Sequence, residues 1–234
     1  MLNKIKGMIK VHPKMMMIAC RLKYGVIFNK LRKKIKGKNN TVKFGNSILK
    51  NVTLHIDGND NVIDIDDECI LIDVKIYMSG NGHLLKIGKG CRFNCGSDIW
   101  FEDVQGRLEI GESSTFQSVH FAITEPKSSI DIGSNCMFAY DIDIRTGDSH
   151  SILSNLDNRR LNYAKDIVIH NNVWVAAHVN ILKGVSVSRN SIVATGSILT
   201  KSVTAENVVV AGNPAVIVKE NVRWISDRIY EKNN

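Results

Sequence analysis

Aliphatic side chains recur at Ile169, Val175, Ile181, Val187, Val193 and Leu199, six positions apart each time without a slip. A helix repeats every 3.6 residues and a simple strand every two, so a sustained period of six calls for strands joined by regular corners. A second set, Val173, Val179, Val185, Ser191, Ser197 and Val203, lies four residues after each of the first and is uniformly small or β-branched. Three such sides close a coil, and eighteen residues bring the chain back above itself. Parallel strands of successive coils then stack about 4.8 Å apart, and each inward residue rests on its own equivalent. The expected fold is all-β: a parallel β-helix built from six-residue repeats.

Upstream the repeat is looser. An apolar residue followed by Gly or Asp occurs as Phe44-Gly45, Ile65-Asp66, Ile87-Gly88, Ile110-Gly111 and Ile132-Gly133, at spacings of 21, 22, 23 and 22. The extra residues form polar corners such as GNDN (58–61) and SGNG (79–82), suited to positive φ. The next equivalent, Ile169, comes 37 residues after Ile132, and the stretch TGDSHSILSN (146–155) lies in that one long interval. The same register makes Cys69, Cys91 and Cys136 small inward fillers, each four residues after the Ile of its coil. His55, His83 and His120 have no partners at ligand spacing and are expected at the surface or at corners. Trp174, between inward Val173 and Val175, points outward.

Charge is divided along the chain. Residues 1–56 hold fourteen Lys and Arg and no Asp or Glu, whereas residues 57–234 hold seventeen basic and twenty-three acidic side chains. In the basic segment Met8, Ile9, Met15, Met16, Ile18, Ala19, Leu22, Val26, Ile27, Leu31 and Ile35 recur at intervals near three and four, as in a pair of short amphipathic helices. Such a head either lies on the anionic inner leaflet of a membrane or packs over the open first coil. Met15–Cys20 is too short for a signal-peptide core, and five unpaired cysteines fit a reducing compartment. The expected location is the cytoplasm, including a peripheral position at the inner face of the membrane. The organisation expected is a basic helical head (1–38), the β-helix with an extended loop at 147–166 (39–204), and a closing loop with a short C-terminal helix (205–234).

The string DIVIHNNVWVAAHVNILKGVSVSRNSIVATGSILTKSV, followed by VVVAGNPAVIVK, resembles the hexapeptide-repeat acetyltransferases. With the 22-residue coils, the basic N-terminus and TGDSH placed 24 residues before Trp174, the chain looks most like those acting on surface polysaccharides, including polysialic acid. That resemblance implies a left-handed β-helix and a homotrimer with sites between subunits. It also implies acetyl-CoA as co-substrate and a glycan hydroxyl as acceptor, without metal or nucleic acid.

Acetyl transfer to an alcohol needs a base, and an imidazole titrating near 6.5 is able to act as one. By the family motif that base is His150, with Asp148 available to orient it or to bind the acceptor, and with Trp174 lining the cleft. Carried over one by one, Ala177 and Thr195 become backbone contacts to the pantetheine arm and Gly196 keeps the passage open. Thr200 and Lys201 stand toward the nucleotide, Ala211–Ala215 closes the groove, and Lys219 meets the 3′-phosphate. Val216 replaces the usual basic residue and Val175-Ala176 the usual Ile-Gly, which leaves Lys219 more of the phosphate charge. Arg159, Arg160 and Tyr163, in the long loop, are groups that bind carboxylates and stack on sugars. Three competing readings are an acetyltransferase for a small soluble sugar or antibiotic, a non-catalytic β-helical scaffold, and a metal hydrolyase of the γ-carbonic-anhydrase type. The last lacks its His-x4-His pair.

Overall fold

A computed structural model describes residues 13–26 and 29–230. The chain winds as a three-sided parallel solenoid, visiting faces A, B and C in strict rotation. Face A stacks β1 (Leu31–Lys36), β4 (Val52–Asp57), β7 (Lys75–Ser79), β10 (Asp98–Phe101), β13 (Val119–Ile123), β16 (Ile142–Arg145), β19 (Asn180–Ile181) and β22 (Ile198–Leu199). Face B stacks β2 (Thr41–Phe44), β5 (Val62–Ile65), β8 (Leu84–Ile87), β11 (Arg107–Ile110), β14 (Ser129–Ile132), β17 (Ile167–Ile169) and β20 (Ser186–Val187). Face C stacks β3 (Ile48–Lys50), β6 (Ile70–Ile72), β9 (Arg92–Phe93), β12 (Thr115–Phe116), β15 (Met137–Phe138), β18 (Trp174–Val175), β21 (Ile192–Val193) and β23 (Val209–Gly212). The hairpin strand β24 (Ala215–Lys219) closes face C antiparallel to β23.

Both six-residue ladders point inward as the period requires: Ile169, Val175, Ile181, Val187, Val193 and Leu199 are buried, as are Val173, Val179, Val185, Ser191, Ser197 and Val203. The small-residue column also explains the thiols. Cys69, Cys91 and Cys136 donate to the carbonyls of Gly88 (3.2 Å), Gly111 (3.0 Å) and His170 (3.1 Å), one coil up in each case. In the coil between Cys91 and Cys136, Ser114 does the same toward Gly133 at 2.9 Å. Burial pushes the thiols up to about 11, 12 and 11, so they are inert fillers.

His83 stands at a corner as expected, and it is fully buried there: Nδ1 accepts from the Gly106 amide at 3.0 Å, and burial lowers its pKa. Two expectations are corrected. The first strand, Leu31–Lys36, falls inside the segment expected to be a helical head, because Leu31–Lys36 finds parallel partners along Val52–Asp57. The C-terminal helix is absent from residues 220–230. There Val222 donates to Asn207 O (2.9 Å) and the Trp224 indole to Asn172 O (2.8 Å), holding the segment against the solenoid.

Of the two short helices expected at the head, α1 (Pro13–Lys23) is described, whereas Met8, Ile9 and Ile27 lie outside the described residues. The helix covers the flank of the first coils and not their open end: Met17, with Cys20 and Tyr24, packs on Ile48, Ile70 and Ile72 of face C. Met15, Ile18 and Leu22, spaced along the other side of α1, stay exposed.

Candidate active site

Each residue of TGDSH does a separate job in launching the long loop from the end of β16. Thr146 is fully buried, and its hydroxyl accepts from Thr124 N and donates to Thr124 O, both at 3.0 Å, pinning the exit to the coil below. Gly147 must lack a side chain, since a Cβ there would lie 2.5 Å from Thr124 Oγ1. Asp148 turns back to the solenoid, where its carboxylate is gripped by Lys183 Nζ and by Asn162 Nδ2, the latter at 2.8 Å. Burial alone would raise the Asp148 pKa, but the hydrogen bonds from Lys183 and Asn162 prevail and hold it below the usual carboxylate range. Ser149 adopts φ +63° and lets His150 N donate to Asp148 O at 2.8 Å, a γ-turn of the uncommon positive-φ kind. This turn presents His150 to solvent at the loop root.

The loop is ordered by its own bonds. Leu153 and Arg160 form an antiparallel bridge, with Leu161 N donating to Ile152 O at 2.8 Å. Asn162, buried at the base, ties the two limbs together: it donates to His150 O (2.7 Å) and to Asp148, and accepts from Ile152 N (2.7 Å). Lys183 adds a bond to Asn162 O at 3.0 Å. Neither Asn162 nor Lys183 stands out in the sequence, because each looks like an ordinary polar residue until the loop folds back. Arg160 is engaged by Glu125 and lies 4.9 Å over the Tyr163 ring, whereas Arg159 is exposed and, among the described residues, pairs with Asp157 at 3.7 Å.

The other expected site residues fall on two different edges of the prism. Trp174 points outward on face C, as the register requires, and its ring lies 6.1 Å from that of Trp224, a neighbour the sequence did not reveal. Immediately beyond, at the C-to-A edge, Ala177 O accepts from Gly196 N at 2.9 Å, so Ala177 and the exposed Thr195-Gly196 corner stack in successive coils. Space is open above Gly196, and Gly212 N of the Ala211–Ala215 turn reaches Ser197 Oγ at 3.3 Å over the same corner. The A-to-B edge instead carries the His150 loop, Lys183, and the exposed Thr200 and Lys201. Lys219, at the far end of the hairpin opposite Val209, is exposed on face C. Within one chain, face A separates His150 from the Trp174 edge.

A parallel solenoid of six-residue repeats with an exposed histidine loop and an open glycine-threonine corner defines a hexapeptide-repeat acyltransferase. No family model matches the chain. The protein is 36% identical over 195 residues to a polysialic acid O-acetyltransferase of Neisseria meningitidis, covering 81% of this chain and 87% of that one; it belongs to the polysialic acid O-acetyltransferase family and is an acyltransferase enzyme. Two solved structures agree. The polySia-specific acetyltransferase NeuO superposes with a TM-score of 0.78 at 30% identity, covering 87% of this chain and 92% of the other. The polysialic acid O-acetyltransferase OatWY gives 0.61 at 28% identity, covering 87% and 91%.

Proposed function

We propose that the protein moves an acetyl group from acetyl-CoA to a hydroxyl of a polysialic-acid-type polysaccharide, with His150 as the base. The observation that carries this reading is the presentation of His150 at the one long break in the stack, on a loop root locked by Asn162 and Lys183. Its imidazole takes the hydroxyl proton as the oxygen bonds to the acetyl carbon; the C–S bond breaks and the departing thiolate is then protonated. Acetyl-CoA supplies the activated thioester. Ala177, Thr195 and Gly196 offer it an open corner with backbone groups at the surface, Trp174 flanks that corner, and Lys219 on face C is an exposed basic group for its nucleotide end; Thr200 and Lys201, on the A-to-B edge, would reach the same cofactor only from a neighbouring chain. Asp148, bound to Lys183 and Asn162, serves here as the loop's anchor.

The edges on which these residues sit support a homotrimer. His150 sits at the A-to-B edge and Trp174 on face C of one prism, with face A between them, so a site using both draws them from two chains. His150→Ala and Trp174→Ala should each be nearly inactive alone, and co-refolded mixtures should recover activity at roughly one site in four. Mixtures as inactive as the parents would exclude the shared site.

The free side of α1 supports a peripheral membrane position in the cytoplasm. Met15, Ile18 and Leu22 form an apolar stripe on a chain segment without acidic residues. Ile18→Asp with Leu22→Asp should abolish co-sedimentation with phosphatidylserine vesicles at low salt while leaving soluble activity intact. Undiminished sedimentation would remove this part of the reading.

A further inference from the structure

Beyond Lys219 the chain runs back along the B-to-C edge, against the direction of the stack, and brings Trp224 beside Trp174. That edge is a column of corner asparagines, Asn135, Asn172, Asn190 and Asn207, each at positive φ. The coil above takes its hydrogen bond from the residue before the asparagine: Asn190 N donates to Asn171 O at 3.1 Å, so Asn172 O is left to another donor. The tail supplies that donor. Val222 N reaches Asn207 O at 2.9 Å, and the Trp224 indole N–H reaches Asn172 O at 2.8 Å. These two carbonyls stand two coils apart, roughly 10 Å on the strand spacing, an interval that two extended residues and an indole cover.

This docking is not core packing. Trp224 is half-buried, and next to it the tail arches over a cavity of about 530 Å³ lined by Ile225, Ser113, Thr115 and Met137. The Trp224 ring instead stands 6.1 Å from that of Trp174, tilted by 51°. On face C the register puts Met137 below Trp174 and Ile192 above it. With Trp224 on the B-to-C side, the direction left to the Trp174 indole among the described residues is the C-to-A edge, where Ala177 and the Thr195-Gly196 corner lie. An outward side chain on a two-residue strand otherwise has several staggered rotamers within reach, and a neighbouring ring removes those that point toward it.

We propose that Trp224 is a positioning residue: it bars the Trp174 indole from the B-to-C side and so holds it over the acetyl-CoA corner. This inference rests on the acetyl-transfer reading, in which Trp174 flanks that corner, and adds to it a residue from outside the hexapeptide repeat. Without the neighbouring ring the indole swings into the space vacated, and turnover falls with the fraction of time it spends out of place. A contact between two aromatic rings shifts such a population roughly twofold to tenfold.

The test is a double-mutant cycle in the full chain, read by steady-state acetyl transfer to polysialic acid. Trp224→Ala should lower kcat roughly twofold to tenfold with the KM for acetyl-CoA little changed, and Trp224→Phe, which keeps a ring, should recover most of that loss. In a Trp174→Phe background, Trp224→Ala should cost less than about twofold more, because the indole it acts through is gone. A tail that only stabilised the coils would cost the same in both backgrounds. Equal losses, or an unchanged kcat in Trp224→Ala, would overturn the positioning role. A second readout needs no turnover. The chain has three tryptophans, so with Trp100→Phe in place Trp174 is the sole one left in both Trp224→Ala and Trp224→Phe. Its fluorescence anisotropy should decay faster in the Trp224→Ala chain, and identical decays would overturn the proposal. That difference in a protein whose wild type transfers no acetyl group would sink the proposed reaction and keep the positioning, whereas acetyl transfer insensitive to Trp224 would sink the positioning alone.

Discussion

His150→Ala lowers kcat by roughly 10² to 10⁴, the ordinary range for removing a general base, while the affinity for acetyl-CoA changes little. The separation follows from the division of roles: His150 is proposed to act on the acceptor hydroxyl, whereas the contacts proposed for acetyl-CoA come from the Ala177–Gly196 corner, which shares no hydrogen bond with His150. Asn162→Ala should fall in the same direction by a different route. It removes the bonds to His150 O, Asp148 and Ile152 N, so the loop root loosens while the imidazole remains. Its kcat loss should therefore be smaller, with a higher KM for the acceptor. Steady-state kinetics with free-thiol detection check both variants. Turnover by His150→Ala within a few-fold of wild type would take the base away from this residue.

What the sequence revealed and what it hid divide along a physical line. Positions governed by stacking are legible, because each rung repeats the one below; the inward ladders, the cysteine fillers and outward Trp174 all follow from a count of residues. Contacts between distant parts of the chain do not repeat. Lys183 occupies a corner like any other, and only the fold brings it one coil above Asp148. His83 has the polarity of a surface residue, yet an amide one coil up, Gly106 N, satisfies it inside. Trp224 gives no periodic signal, and its meeting with Trp174 depends on a tail that crosses face C. The candidate site was legible as a list of residues but not as two edges, since a linear motif carries no information about which corner of the prism each residue occupies.

The largest stability effect should come from the rings inside the middle coils. Phe93, Phe116 and Phe138 are fully buried and stack at 4.5 and 4.9 Å, with Phe121 meeting Phe116 edge-on at 5.8 Å. Further up the same column, the 18-residue coils fill the inward position with Val175 and Val193. The longer upstream coils therefore pair with larger side chains, and a small residue at 116 would leave a cavity that rigid hydrogen-bonded rungs on both sides cannot close. Phe116→Ala should cost about 3–5 kcal/mol. Because each coil contacts only its neighbours, the damage should also lower cooperativity, splitting the transition as the coils before and after residue 116 uncouple. Phe116→Leu, which keeps most of the volume, should lose far less. Leu156→Ala, at a tip residue 98% exposed, should stay within about 0.5 kcal/mol of wild type. Urea unfolding followed by far-UV circular dichroism reads all three. A Phe116→Ala midpoint no lower than that of Leu156→Ala would mean that the phenylalanine stack is not what holds the middle coils together.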